Sequence, residues 1–336
     1  MKSMIAMAVG VMLVAGSFVA YAADEVNIYS YRQSFLIDPV VEKFEKDTGI
    51  NVNVVFAKKG LAERLKREGK LTKADLVLTT DISRLMELKD KGLVAAVDSG
   101  VIESNVPAHL RDPEDQWFAL TTRVRNVYAS KERFGNKAIS YEDLANPEFK
   151  GKICTRSGKH PYTVALVSSM IAHHGEADTK EWLTKVKENL ARKPQGNDRG
   201  QIKAIAAGQC DVSLGNSYYF GKMVSDPKQK PTADNVHILF PNQDKRGAHI
   251  NVSGMALTKY APNKAAAIKL MEYLTGDLAQ GIYAQVNMEY PVKVGVKKSE
   301  LVASWGDFKA DNLAMSDVAK YRPTALKLLD QVKFDL

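Results

Sequence analysis

The sequence predicts an α/β protein of two lobes, each a mostly parallel sheet flanked by helices, joined by crossing strands. Three observations carry this. The chain opens with a strand–helix–strand–helix–strand pattern, which builds a parallel sheet with helices on its faces. The alternation restarts after Trp117. The 336 residues are too many for one ordinary hydrophobic core, and no Pro/Gly-rich linker separates the halves. No internal repeat or low-complexity tract is found.

In the first half, Val26 to Ser30 alternates as a strand. Asp38-Pro39 opens a helix with Leu36, Ile37, Val40, Val41 and Phe44 on its apolar face, and Gly49 stops it. Val52, Val54 and Phe56 mark a second strand, Leu61 to Glu68 a helix, and Ala74 to Thr80 a buried third strand. In the second half, Leu120 to Ala129 reads as a strand and Tyr141 to Phe149 as a short helical or turn element. Ile153-Cys154-Thr155 is a strand and Thr163 to Ala172 an apolar helix. Lys180 to Ala191 and Gln201 to Ala206 are amphipathic helices, and Cys210 to Leu214 is a strand. Val236 to Phe240 and Val252 to Thr258 are extended; helices run from Asn263-Lys264 through Leu274 and from Asp277 to Gln285.

The N-terminus reads as a secretory signal. Lys2 supplies the positive charge, Met4 to Ala20 the apolar stretch, and Ala20-Tyr21-Ala22 the small residues for cleavage before Ala23. That stretch is short for a membrane span. No cysteine lies near the cleavage point to take a lipid, so the expected product is a free, soluble chain. Composition is that of a globular protein, with 45% hydrophobic and 26% charged residues. The formal charge of +8 is scattered rather than gathered in a basic stripe with interleaved aromatics, which argues against nucleic-acid binding. The only two cysteines, Cys154 and Cys210, read as a disulfide in an exported chain. The loop-entropy model assigns such a bridge about 4 kcal/mol.

The informative chemistry lies in tyrosines. Gly215-Asn216-Ser217-Tyr218-Tyr219-Phe220 follows a strand, and in open α/β sheets ligands bind beyond the carboxyl ends of strands. Arg156-Ser157-Gly158-Lys159-His160-Pro161-Tyr162 is a second strand-to-helix loop, behind the strand that holds Cys154. If Cys154 bonds Cys210, the phenols of Tyr162, Tyr218 and Tyr219 can converge. A phenolate is a hard oxygen donor suited to a hard trivalent cation, which makes ionisation possible despite a reference pKa near 10. The alternative is that these rings are ordinary core or interface aromatics. No G-x-S-x-G, H-E-x-x-H, Walker A or dinucleotide glycine run occurs, and the cysteines lack C-x-x-C spacing, so no enzyme activity is expected.

On Val26-Asn27-Ile28-Tyr29-Ser30, Ala74-Asp75-Leu76-Val77-Leu78-Thr79, Tyr141-Glu142-Asp143-Leu144, Gly215-Asn216-Ser217-Tyr218-Tyr219 and Glu289-Tyr290-Pro291-Val292, the chain resembles the ferric-iron-binding proteins of bacterial iron ABC transporters, in the branch of cyanobacterial-type periplasmic iron binders. The matching stretches span nearly the whole mature chain, and Asn-Ser-Tyr-Tyr with the upstream Tyr is the specific part. The resemblance implies a type II periplasmic binding protein fold. Residues 1–22 would be the signal peptide, 23–122 plus 249–300 lobe 1, and 123–248 plus 301–336 lobe 2. It implies Fe3+ as a carried ligand on Tyr162, Tyr218 and Tyr219, a periplasmic monomer, and delivery to an inner-membrane ABC transporter permease.

The first lobe departs from the family. Many members have Arg-His-Tyr after the first strand; here the run is Tyr31-Arg32-Gln33-Ser34-Phe35, with Gln33 for His and Ser34 for Tyr. Both are poor ferric ligands, so water or a small anion such as carbonate is expected to complete the shell, with Gln33 oxygen or Tyr31 as alternatives. Arg32 and Arg123 are the candidate anion partners, because a guanidinium holds an oxyanion through two donors; ion pairs within the protein are the competing role. Lys222 and His160 are further candidates for the cleft, against plain surface roles. His173-His174 and the remaining histidines lack metal-ligand spacing. The rival function is a protein of the same fold that binds an organic anion, a phosphonate or a polyamine.

Overall fold

The computed structural model describes residues 24–336. The signal segment and its cleavage point before Ala23 lie outside the described residues. The first half contains β1 (Glu25–Ser30), α1 (Asp38–Thr48), β2 (Asn51–Phe56), α2 (Leu61–Glu68), β3 (Leu76–Thr79), α3 (Ile82–Asp90), β4 (Val94–Ala95) and α4 (Gly100–Asn105). Then come β5 (Phe118–Ser130), β6 (Ile153–Cys154), α5 (Pro161–Glu188), α6 (Asp198–Ala206), β7 (Val212–Asn216), α7 (Ser217–Val224), α8 (Lys230–Ala233) and β8 (Val236–Leu239). The chain ends with β9 (Ile250–Thr258), α9 (Lys264–Thr275), α10 (Asp277–Asn287), β10 (Tyr290–Pro291), α11 (Glu300–Ala303), α12 (Met315–Lys320) and α13 (Arg322–Gln331).

Local chemistry explains several boundaries. Pro39 sits in the first turn of α1, where its missing N–H costs nothing, and Gly49 closes the helix at φ 72°. The Asp81 carboxylate accepts from the backbone of Ser83 and Arg84 and so starts α3. The sequence suggests two helices, over 163–172 and 180–191. The structure joins them as α5 through a break at Gly175, whose φ of 81° and ψ of 174° only glycine adopts readily.

The strands form one mixed sheet in the order β2-β1-β3-β9-β5-β7-β6. Parallel pairing holds for β1 with β2 and β3 and for β6 with β7. The long strands supply the antiparallel pairings. Phe118 to Val124 of β5 pair with β9, and from Arg125 the same strand pairs with β7 and β8. β5 therefore crosses from one lobe to the other, so a strand rather than a loop joins the halves.

Each side of that crossing has its own apolar core. One gathers Val26, Ile28, Phe44, Leu76, Leu85, Phe118, Val252 and Leu270. The second lobe packs Val127, Tyr141, Ile153, Leu166, Met170, Trp182 and Leu214, with a satellite around Tyr128, Ile202 and Met223. The C-terminal segment is shared: Met315 and Val318 join the first core, Ala325, Leu328 and Phe334 the second. Cys154 and Cys210 form a disulfide with their Cα atoms 5.8 Å apart. Strand β7 starts two residues later than the sequence suggests and runs on through Asn216, because Gly215 and Asn216 still pair with Asn126 and Arg125 of β5.

Candidate functional site

The end of β7 and the start of α7 place Tyr218 and Tyr219. Gly215 lets the buried Tyr128 ring lie flat on the strand; a Cβ there would stand 1.9 Å from Tyr128 Cε2. The Tyr128 hydroxyl in turn donates to the Asn216 carbonyl at 2.6 Å. Ser217 Oγ accepts from the Val124 backbone N–H at 3.4 Å. The backbone thus turns into α7 under fixed restraints, and both tyrosines fall on the first helical turn. Tyr162 occupies the matching place on α5. His160 caps that helix, its Nδ1 accepting from the Tyr162 N–H at 3.2 Å, and its ring meets the Tyr162 ring edge-on at 4.6 Å.

The three phenols converge. The hydroxyls of Tyr162 and Tyr218 lie 3.2 Å apart. The rings of Tyr218 and Tyr219 stack at 4.3 Å between centroids. They line a cavity of ≈ 360 Å³, shared with Arg32, Gln33 and Phe35 from the loop after β1 and with Arg123 and Glu289. All three side chains are half-buried. Burial pushes the Tyr162 phenol above its ordinary pKa, with Arg123 opposing. Burial pushes Tyr218 well above it, and the neighbouring Tyr162 and Tyr219 add to the effect. A phenol raised above its ordinary pKa keeps its proton near pH 7.

Two buried carboxylates, each clamped by two arginines, flank the phenols. Arg125 and Arg156 both donate to Asp198, at 3.0 and 2.8 Å, and Asp198 also accepts from the Asn216 N–H at 2.8 Å. Arg32 and Arg123 both donate to Glu289, at 2.8 and 3.2 Å, with Thr121 adding a third bond at 2.9 Å. Burial opposes ionisation of Glu289, yet the two guanidiniums outweigh it and hold the carboxyl below its ordinary pKa. The guanidinium carbons of Arg156 and Arg123 stand 5.3 and 5.7 Å from the centre of the Tyr162 ring, and that of Arg199 5.7 Å from Tyr219.

The remaining sequence candidates separate. Gln33 is exposed at the cleft wall. Tyr31 is buried; its hydroxyl accepts from the N–H groups of Leu61 and Ala62 at 3.1 and 3.3 Å, and Arg84 covers its ring at 3.9 Å. Those contacts hold it at the start of α2. Lys222 lines the cleft and sits 4.4 Å from the centre of the exposed Phe35 ring, which links α7 to the loop after β1. Burial, with Arg156 and Arg125 nearby, drops the His160 pKa to about 3, so its ring is neutral. His173 and His174 pair with Asp311 and Glu142 rather than with each other's partners. Among the described residues no group of three or more His, Cys, Asp or Glu side chains could hold a metal, which leaves the phenols as the clustered hard donors.

Sequence reasoning missed Asp198, Arg156 and Glu289 as parts of this site. Arg32 and Glu289 are 257 positions apart, and Arg125 and Asp198 are 73 apart. A lone carboxylate in a sequence carries no sign that two arginines will surround it.

Residues 72–309 match the model of the bacterial extracellular solute-binding protein family. Iron uptake protein A1 of Synechocystis is 40% identical over 312 residues, covering 92% of this chain and 87% of its own. The ferric iron-binding protein A of Mannheimia haemolytica, solved in an open conformation, superposes with a TM-score of 0.90 at 54% identity, over 94% of this chain and 100% of that one. A Trichodesmium protein solved in complex with iron and citrate ligands superposes with a TM-score of 0.89 at 39% identity, over 92% and 99%.

Proposed function

The chain belongs to the bacterial extracellular solute-binding proteins, and from that premise we propose that it is a periplasmic carrier that captures ferric iron on Tyr162, Tyr218 and Tyr219. It hands the metal, as a monomer, to the inner-membrane permease of an ABC transporter. The observation that carries the site is the convergence of the three phenols, with two hydroxyls 3.2 Å apart in the interlobe cavity. The names of its relatives point the same way: iron uptake in Synechocystis, ferric iron binding in Mannheimia.

The chemistry follows from charge. Three phenolates offset the three charges of Fe3+, so the complex is neutral where a bare trivalent ion would be strongly disfavoured by burial. The metal must displace the phenolic protons, because burial raises the Tyr162 and Tyr218 phenols above their ordinary pKa. Arg32 and Arg123 line the cavity, so carbonate, a small carboxylate or water completes the shell beside their positive charge, with Gln33 within the same wall. Lobe closure around the strands that join the halves traps the ion. Arg32, Gln33, Arg123 and Glu289 come from lobe 1 and its crossing strands, the tyrosines from lobe 2.

Ferric phenolate absorbs visible light, so iron-loaded protein is expected to be coloured. A Tyr218→Phe, Tyr219→Phe variant should keep its far-UV circular dichroism and lose both the band and tight ferric binding. A folded double variant that retains the wild-type band would overturn the assignment, and an uncoloured wild type that binds an organic anion would favour the rival function.

A further inference from the structure

Ferric binding to three phenols releases three protons, so to first order it leaves the charge of the cavity unchanged. Whatever charge the protein walls carry is therefore left to act on the anion that accompanies the metal. Those walls carry four cations, Arg32, Arg123, Arg199 and Lys222, and one anion, Glu289. Glu289 is 4% exposed, and its two oxygens absorb one donor from each of Arg32 and Arg123. Arg123 gives a second donor to the Val252 carbonyl at 3.0 Å. Arg32 Nε and Nη1 and Arg123 Nε are buried and have no hydrogen-bond partner among the described residues. Both guanidiniums belong to the cavity wall, where their charge, only partly offset by Glu289, favours an oxyanion.

We propose that Glu289 is a specificity-determining residue of the carrier, holding the two guanidiniums in place and limiting how much negative charge the accompanying carboxylate or carbonate can carry. The inference rests on the iron-plus-anion reading above and adds the residue that selects the anion. Glu289 is bonded to Arg32, Arg123 and Thr121 rather than to a phenol, and it acts through the two arginines. It belongs to the chain turn after α10, where Met288 takes a left-handed φ of 55° and β10 begins on β5, so the carboxylate is set by the backbone of the crossing region. Removing its charge raises the net charge of the walls from +3 to +4. At separations of several ångströms and an effective dielectric constant of about 20 to 40, one added charge changes the binding of each negative charge on the anion on the order of tenfold.

The test uses the full mature chain, iron-loaded and freed of bicarbonate under argon, titrated with acetate and separately with malonate, which differ by one carboxylate. The readout is the shift of the ferric-phenolate band, and the quantity compared is the ratio of the acetate to the malonate dissociation constant. In Glu289→Gln this ratio should rise on the order of tenfold in favour of malonate. In Arg32→Gln, which removes a positive charge from the same cluster, it should fall by a similar factor. Glu289→Asp, which keeps the charge, should stay near wild type. A wild-type band that responds to neither anion would overturn the iron-plus-anion reading and this inference with it. A wild type that responds, with ratios in Glu289→Gln and Arg32→Gln within twofold of its own, overturns the role of Glu289 alone. If Glu289→Gln does not fold, Arg32→Gln decides by the same twofold criterion, with Glu289→Asp as the charge-preserving control.

Discussion

Replacing Asp198 by Ala tests whether the phenol site depends on a buried charge cluster behind it. Asp198 is fully buried and accepts three hydrogen bonds, from Arg125, Arg156 and the Asn216 N–H. The variant leaves two buried guanidiniums without this counter-charge, and among the described residues Arg125 Nε and Nη2 and Arg156 Nε already lack partners. Breaking one such buried pair costs about 3–5 kcal/mol, which is a large part of the about 5–15 kcal/mol that holds a typical domain folded. With a urea m-value of about 2–3 kcal/mol per M, the unfolding midpoint should drop by about 1–2 M. Trp182, buried in the second-lobe core with its Nε1–H on the Tyr141 carbonyl, reports unfolding by fluorescence together with Trp117 and Trp305. Iron titration should weaken in parallel, because Asn216 directly precedes α7 and Arg156 borders Tyr162. Asp198→Asn keeps the shape and removes the charge, so most of the loss should persist there. A midpoint within about 0.3 M of wild type, or an unchanged ferric-phenolate titration, would refute the reasoning.

Two further outcomes are expected. His249 is buried, and burial with Arg125 and Arg246 nearby drops its pKa to about 3. The unfolded chain then takes up the proton first, so its contribution to stability is present above about pH 6.5 and is lost as pH falls toward about 3, at up to about 1.4 kcal/mol per pH unit. Urea midpoints at pH 7, 6 and 5 should show a shallower slope in His249→Gln than in wild type, and identical slopes would reject the buried neutral ring. Gly215→Ala drives a methyl into the Tyr128 ring, 1.9 Å from Cε2 and 2.3 Å from Cζ, and should cost at least about 3 kcal/mol. Adding Tyr128→Ala makes room, so the double variant should lose less than the sum of the single variants. Strict additivity in that thermal-denaturation cycle would mean the glycine is not there to admit the ring.

Much of the fold is legible in the residues. The 61–68 helix and the 51–56 strand follow from period and turn signals, and the disulfide follows from two cysteines in a chain that reads as exported. Strand ends slip where pairing rather than local pattern decides. Gly215 and Asn216 look like a loop in sequence, but they are strand because β5 runs beside them. Tyr31 looks available after β1, but the start of α2, thirty residues on, occupies its hydroxyl.

The sequence by itself determined the alternation of strands and helices, the two-lobed organisation it implies, and the three tyrosines on two strand-to-helix turns. These are local properties: hydrophobic period, turn residues and donor chemistry are written in consecutive positions. Tertiary structure alone decided that Tyr162 and Tyr218 meet at 3.2 Å and that Asp198 and Glu289 each lie between two arginines. Those facts join residues up to 257 positions apart, and a buried charge acquires its partners only when the sheet brings distant segments side by side.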